Sequence, residues 1–154
     1  MMAVSLFAVS CSNDDDGVEL SIVPKAGELT GGPFTICIDG TPDMVRGIVL
    51  NNPNVIGANR TYVITDDLGN ILGLPPTLDT DQGVNFRDAS SGVCLIWYLR
   101  YENGLEGLEF GLNTNDLSGN CVFSNPVAVN RNQPKAGELT GGVFNFTIDE
   151  PQIW

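Results

Sequence analysis

The chain contains no histidine among its 154 residues. Every site that depends on imidazole is thereby excluded: Ser-His-Asp and Cys-His catalysis, histidine-bearing zinc centres and H-E-x-x-H proteases. Bases are scarce as well. Seven lysines and arginines stand against 19 acids for a net charge of −12, and Lys25, Arg46, Arg60, Arg87, Arg100, Arg131 and Lys135 are scattered singly. Nucleic-acid binding needs a basic stripe that displaces counterions from phosphate, so that class is set aside. No C-x-x-C pair occurs among the four cysteines, which argues against zinc and iron–sulfur frameworks. What remains for catalysis is a carboxylate pair or a bare nucleophile, and no motif marks either. The expectation is a protein without chemistry of its own.

What is present is glycine and proline. The 18 Gly and 9 Pro cluster with Asn and Asp between short apolar runs, the punctuation of an all-β chain with many turns. A hydrophobic content of 42% with 17% charged residues is ordinary for a globular domain, and the length allows one domain with one core. The acidity reads either as a solvated surface that resists aggregation or as loops that hold calcium.

The sequence is organised around Pro24-Lys25-Ala26-Gly27-Glu28-Leu29-Thr30-Gly31-Gly32, which returns unchanged 110 positions later as Pro134-Lys135-Ala136-Gly137-Glu138-Leu139-Thr140-Gly141-Gly142. Similarity continues, with Phe34, Ile38 and Asp39 meeting Phe144, Ile148 and Asp149, while Ile36 faces Phe146 and Cys37 faces Thr147. A period this long implies one whole domain per repeat rather than a solenoid unit of about 20–50 residues. The chain is expected to hold one complete module and the first strand of a truncated second one.

Alternation and β-branched content place strands at 18–23, 34–38, 44–50, 60–65, 71–74, near 84–86, at 93–99 and from 121 to 131. In Val93-Cys94-Leu95-Ile96-Trp97-Tyr98-Leu99 both alternating sets are apolar, so this strand should be central and covered on both faces, with Trp97 as the core anchor. A turn of helix is expected near 115–117. About seven short strands with a tryptophan in a late central one fit an immunoglobulin-like β-sandwich.

The stretches Gly32-Pro33-Phe34-Thr35-Ile36-Cys37 and Gly119-Asn120-Cys121-Val122-Phe123-Ser124-Asn125-Pro126-Val127 are similar to the ends of Ig-like and PKD-like repeats found in tandem in surface and secreted Bacteroidota proteins. The resemblance implies a spacer, adhesion or display module. At the other end, Ala8-Val9-Ser10-Cys11 closes an apolar run too short to span a bilayer and resembles a bacterial lipobox, which would make Cys11 the acylated residue. The alternative is a plain first strand with a buried cysteine. Ser12-Asn13-Asp14-Asp15-Asp16-Gly17 is a solvated acidic tether and resembles the surface-export signal of Bacteroidota lipoproteins. Together these imply a signal peptide at 1–11, a tether at 12–17, the sandwich module at 18–133 and the incomplete repeat at 134–154. They also imply anchoring to the outer membrane at the cell surface, with secretion as the alternative.

The resemblance favours a disulfide between Cys37 and Cys121, leaving Cys94 as a buried small hydrophobe; strand order in an idealised sandwich favours Cys37 with Cys94 instead. Asp66, Asp67 and Asn70, then Asp79 and Asp81, and a third loop at 113–120 are weak calcium candidates, since none completes the EF-hand pattern and Asp and Asn are also ordinary turn residues. Extracellular protein or polysaccharide is the expected partner. A glycan-binding module would use Tyr62, Tyr101 or Trp154 as stacking platforms. Finally, the tail at 134–154 duplicates the strand at 33–39, so it could take that strand's place in a neighbouring molecule and build oligomers.

Overall fold

The computed structural model describes residues 23–51, 55–78, 83–137 and 140–142. The expected signal segment with Cys11, the acidic tether and all of the first strand but Val23 lie outside the described residues. Among the described residues ten strands follow in order: β1 (Glu28–Thr30), β2 (Phe34–Cys37), β3 (Met44–Val45), β4 (Val49–Asn51), β5 (Asn59–Asp66), β6 (Ile71–Gly73), β7 (Val84–Asn85), β8 (Gly92–Tyr101), β9 (Cys121–Phe123) and β10 (Val127–Asn132). One turn of 3-10 helix spans Thr114–Asp116. The protein is all-β and sandwich-like.

The larger sheet runs β2-β10-β8-β5-β6, with β9 also paired to β8. All its pairings are antiparallel except β2 with β10, which run parallel with Phe34 opposite Val129 and Cys37 opposite Asn132. Two small antiparallel pairs, β1–β4 and β3–β7, form the opposing side. The core lies between: Leu29, Val45, Ile48 and Phe86 meet Cys94, Ile96, Tyr98, Val127 and Val129. Each of the larger side chains contributes about 1.5–3 kcal/mol by leaving water.

β8 is covered on both faces, as its two apolar sets require. Its second face carries Leu99, Trp97 and Tyr101, which pack with Val63, Ile71, Cys121 and Phe123 beneath Leu105, Leu108 and Leu117. Those three leucines belong to the connection between β8 and β9, so this long excursion is a lid on the outer face of the large sheet. Trp97 is therefore not the anchor between the layers. It lies on the outer face, its Nε1–H donating to Thr65 Oγ1 at 3.1 Å and its ring edge-on to Phe123, while Tyr98 fills the inter-layer position.

Two expected strands are each broken in the middle. In 44–50 the inward residues Val45 and Ile48 are three apart, which a period of two cannot place on one face. The chain absorbs the extra residue between β3 and β4, where Gly47 has φ +80°. The strand from Cys121 divides at Ser124 for a similar reason. Phe123 pairs with Leu99 but Val127 with Ile96, one residue more on this side than on β8. Ser124 closes the gap, its hydroxyl accepting from Tyr98 N–H at 2.9 Å.

The layers are also joined by charge. Arg131 of β10, its side chain 1% exposed, donates through Nη2 to Asp43 Oδ2 at 2.6 Å, just before β3 on the opposing side. Its Nη1 reaches Ser90 O at 3.2 Å.

Candidate functional site: the slot of the first repeat copy

The repeated nonapeptide contains residues that its surroundings demand one by one. Lys25 makes a reciprocal backbone pair with Ile56, at 2.8 and 2.9 Å. At Gly27 a Cβ would stand 2.5 Å from Asn51 O and 2.9 Å from Leu50 Cδ1, so any side chain there forces the β4 backbone away. Leu29 inserts into the core with 2% of its surface exposed. Its other edge is held by Asn125, whose Oδ1 accepts from Leu29 N–H at 2.8 Å and whose Nδ2 donates to Leu29 O at 2.7 Å. One amide side chain thus completes a strand edge that no described strand pairs with. Asn51 Nδ2 donates to Thr30 Oγ1 at 2.8 Å, and at Gly31, with φ +117°, a Cβ would meet Gly47 O at 2.7 Å. β2 continues the slot, turning Phe34 and Ile36 toward the core and Thr35 and Cys37 to solvent.

The described residues of the second copy show none of this. Residues 134–137 and 140–142 are exposed, and a Cβ on Gly137 would meet nothing within 4 Å. Identical residues at 24–27 and 134–137 therefore occupy two environments, one a built slot and one open to solvent.

The expected pairing of Cys37 with Cys121 is not formed, because Cys37 is a free thiol. Cys37 and Cys94 are free thiols, which also sets aside the pairing of those two. Cys37 lies beside Asn132 at the Gly92 end of the large sheet, whereas Cys121 pairs with Tyr101 at the far end of β8, about 30 Å away at ~3.3 Å per residue. Cys94 is buried as expected. Burial raises its pKa above the ordinary thiol value, Arg131 pulling the other way and Asp66 and Asp67 adding to the rise, so the group is a neutral thiol at pH 7. It borders a cleft of about 190 Å³ between Asp66, Asp67, Leu72 and the turn before β8, smaller than the ~300–1,000 Å³ of common ligand pockets.

Of the calcium candidates, Asp66 and Asn70 are brought together, but as hydrogen-bond partners. Asp66 Oδ1 accepts from Leu68 and Asn70 N–H at 3.0 and 2.8 Å, and Oδ2 from Asn70 Nδ2 at 2.7 Å. Although partial burial pushes the Asp66 pKa up, these bonds outweigh it and hold the carboxyl below its ordinary value. Asn113 ties the turn down by donating to Leu68 O and Asn70 Oδ1, and accepts from Asn115 N–H to start the 3-10 turn. Asp67 is exposed, and Asp79 and Asp81 lie outside the described residues. Among the described residues no group of three or more Cys, Asp or Glu is placed to hold a metal ion. Of the expected stacking platforms, Tyr62 packs on Tyr98 with centroids 5.0 Å apart, Tyr101 joins the outer cluster, and Trp154 lies outside the described residues.

No protein-family model, curated protein or solved structure matches the chain. The slot was missed in the sequence because Asn125 and the β4 backbone, which build it, lie far along the chain from the repeat. The verbatim recurrence was its one visible signal.

Proposed function

We propose that the chain is a display or spacer module with an immunoglobulin-like arrangement, held at the cell surface through an acylated Cys11 and the acidic tether that follows it. Support for the arrangement comes from the strand order. β8, β10, β5 and β6 take the places of the F, G, C and C′ strands, the first strand of that sheet joins β10 in parallel, and β3 and β7 pair as B and E do. The observation that carries the functional reading is the nonapeptide that fills one module and recurs straight after its last strand, the mark of modules strung in tandem. Such a protein works by position. Acyl chains hold the anchor, with two or more chains needed for stable binding at about 0.8 kcal/mol per buried CH₂, and the tether sets the sandwich off the membrane. Loops and exposed side chains such as Leu68 and Phe110 then face an extracellular protein or polysaccharide.

Fatty-acid labelling of the wild type and of Cys11→Ser in a Bacteroidota host, with protease added to intact cells, tests the reading. Label that depends on Cys11 together with cleavage from outside is expected. Absence of label, or full protection from protease, contradicts it.

A further inference from the structure

We propose that the β1–β2 slot is an acceptor site, and that its ligand is residues 134–148 of a second copy of this chain. The inference goes beyond the display reading and does not depend on a membrane anchor.

The argument rests on what the slot selects. Its requirements are a glycine under the Asn51 carbonyl, a leucine in the core between Asn125 and β4, and a threonine hydroxyl for Asn51. Gly137, Leu139 and Thr140 supply all three in the same order. The match extends through β2. The inward positions Phe34 and Ile36 correspond to Phe144 and Phe146, the half-buried Ile38 to Ile148, and the outward Thr35 and Cys37 to the polar Asn145 and Thr147. Only Pro33, which Val143 replaces, has no counterpart in kind. The backbone pairs with Ile56 and β4 do not depend on side chains and would be reproduced.

A chain cannot satisfy its own slot this way. The tail leaves β10 at Asn132, beside Gly92, and Pro134 is within about 7 Å of that point. The slot begins with Lys25 bridged to Ile56, and the next residue, Gly57, is packed on Arg100 and Tyr101 at the opposite end of β8. That end is about 30 Å away at ~3.3 Å per residue. The partner must be another copy. Because donor and slot lie at opposite ends, each exchange leaves a further tail and slot to be used, and repeated exchange extends head to tail or closes into a ring.

The two glycines make the test selective. A side chain at position 27 collides with Asn51 O, while one at position 137 meets nothing in the monomer. Sedimentation velocity of the full-length chain over a range of concentrations is the assay. Gly27→Val expels the chain's own segment and leaves the slot to a neighbour's tail, so dimers and larger species growing with concentration are expected. Gly27→Val combined with Gly137→Val is expected to return to monomer, since neither copy then fits. Identical size distributions for the single and double variants, whether monomeric or associated, overturn the proposal. Should Gly27→Val not fold unaided, a synthetic peptide of residues 134–149 is expected to restore a cooperative thermal transition with dose and the same peptide with Gly137→Val to restore none. Equal effects of the two peptides overturn the proposal as well. Neither result bears on Cys11 labelling, so failure here is distinct from failure of the display reading.

Discussion

Replacing Asp43 by alanine removes the counter-charge of a guanidinium that has no route to water. Arg131 is 1% exposed and Asp43 7%, and the remaining partners of the arginine are the carbonyls of Ser90 and Arg87. Among the described residues its Nε has no hydrogen-bond partner. Breaking a buried pair from one side costs about 3–5 kcal/mol, because the orphaned charge stays in low dielectric. The two carbonyls still solvate it in part, which places the expectation near 3 kcal/mol. Against a total of about 5–15 kcal/mol for a domain this is a large fraction. In urea, with a slope of about 2 kcal/mol per molar, the midpoint should fall by about 1.5 M. Asp43→Ala combined with Arg131→Met removes both charges and keeps an apolar chain of similar length, so it should lie within about 1–2 kcal/mol of the wild type. Equilibrium urea unfolding followed by circular dichroism reads both. A loss under about 1 kcal/mol for Asp43→Ala, or a double variant no more stable than the single one, would refute the claim that this pair joins the two layers in a dry interior.

Three further expectations can be checked on the same protein. Asn125→Ala strips partners from both the N–H and the C=O of buried Leu29, at about 1–3 kcal/mol for each group, so a loss of about 2–6 kcal/mol is expected in the same titration, with Asn125→Asp losing less because it keeps the acceptor. Native-state alkylation should modify exposed Cys37 quickly and Cys94 only after unfolding; since the folded Cys94 pKa lies above 9.0, its contribution to stability is whole below that pH and is lost as pH rises through the folded value, which a Cys94→Ala variant should not show. The opposite sign holds for Asp66. Its folded pKa lies below 3.8, so its contribution is present above that value and lost as pH falls through the folded one, and acid melts of Asp66→Asn should be flatter than those of the wild type over that window.

Much of the large sheet was legible in the sequence because its strands obey simple periods. β5, β6, β8 and the 3-10 turn fall where alternation and turn residues place them, and the double-sided character of β8 followed from its two apolar sets. The face assigned to Trp97 did not follow, since an unbroken apolar strand gives no sign of which set looks inward; that is decided by the lid of Leu105, Leu108 and Leu117 from another part of the chain. The breaks at Gly47 and Ser124 are one-residue shifts of register that apolar content alone does not reveal. The cysteine pairing was misplaced because positions shared among repeats say nothing about distance along a sheet. The slot was half legible. The recurrence of the nonapeptide marked it as special, but the reason for each residue lies in Asn51, Ile56 and Asn125, which only the fold brings to it.

The central claim is that one copy of the nonapeptide is held in a built slot and the other is not. Amide hydrogen exchange by NMR on dilute, monomeric protein tests it most directly, because nearly identical local sequence gives Lys25 and Lys135 the same intrinsic chemistry apart from the residue two places before. The Lys25 amide, bonded to Ile56 O at 2.8 Å, should be protected by a large factor and the exposed Lys135 amide by almost none. Equal protection of the two amides would contradict the account.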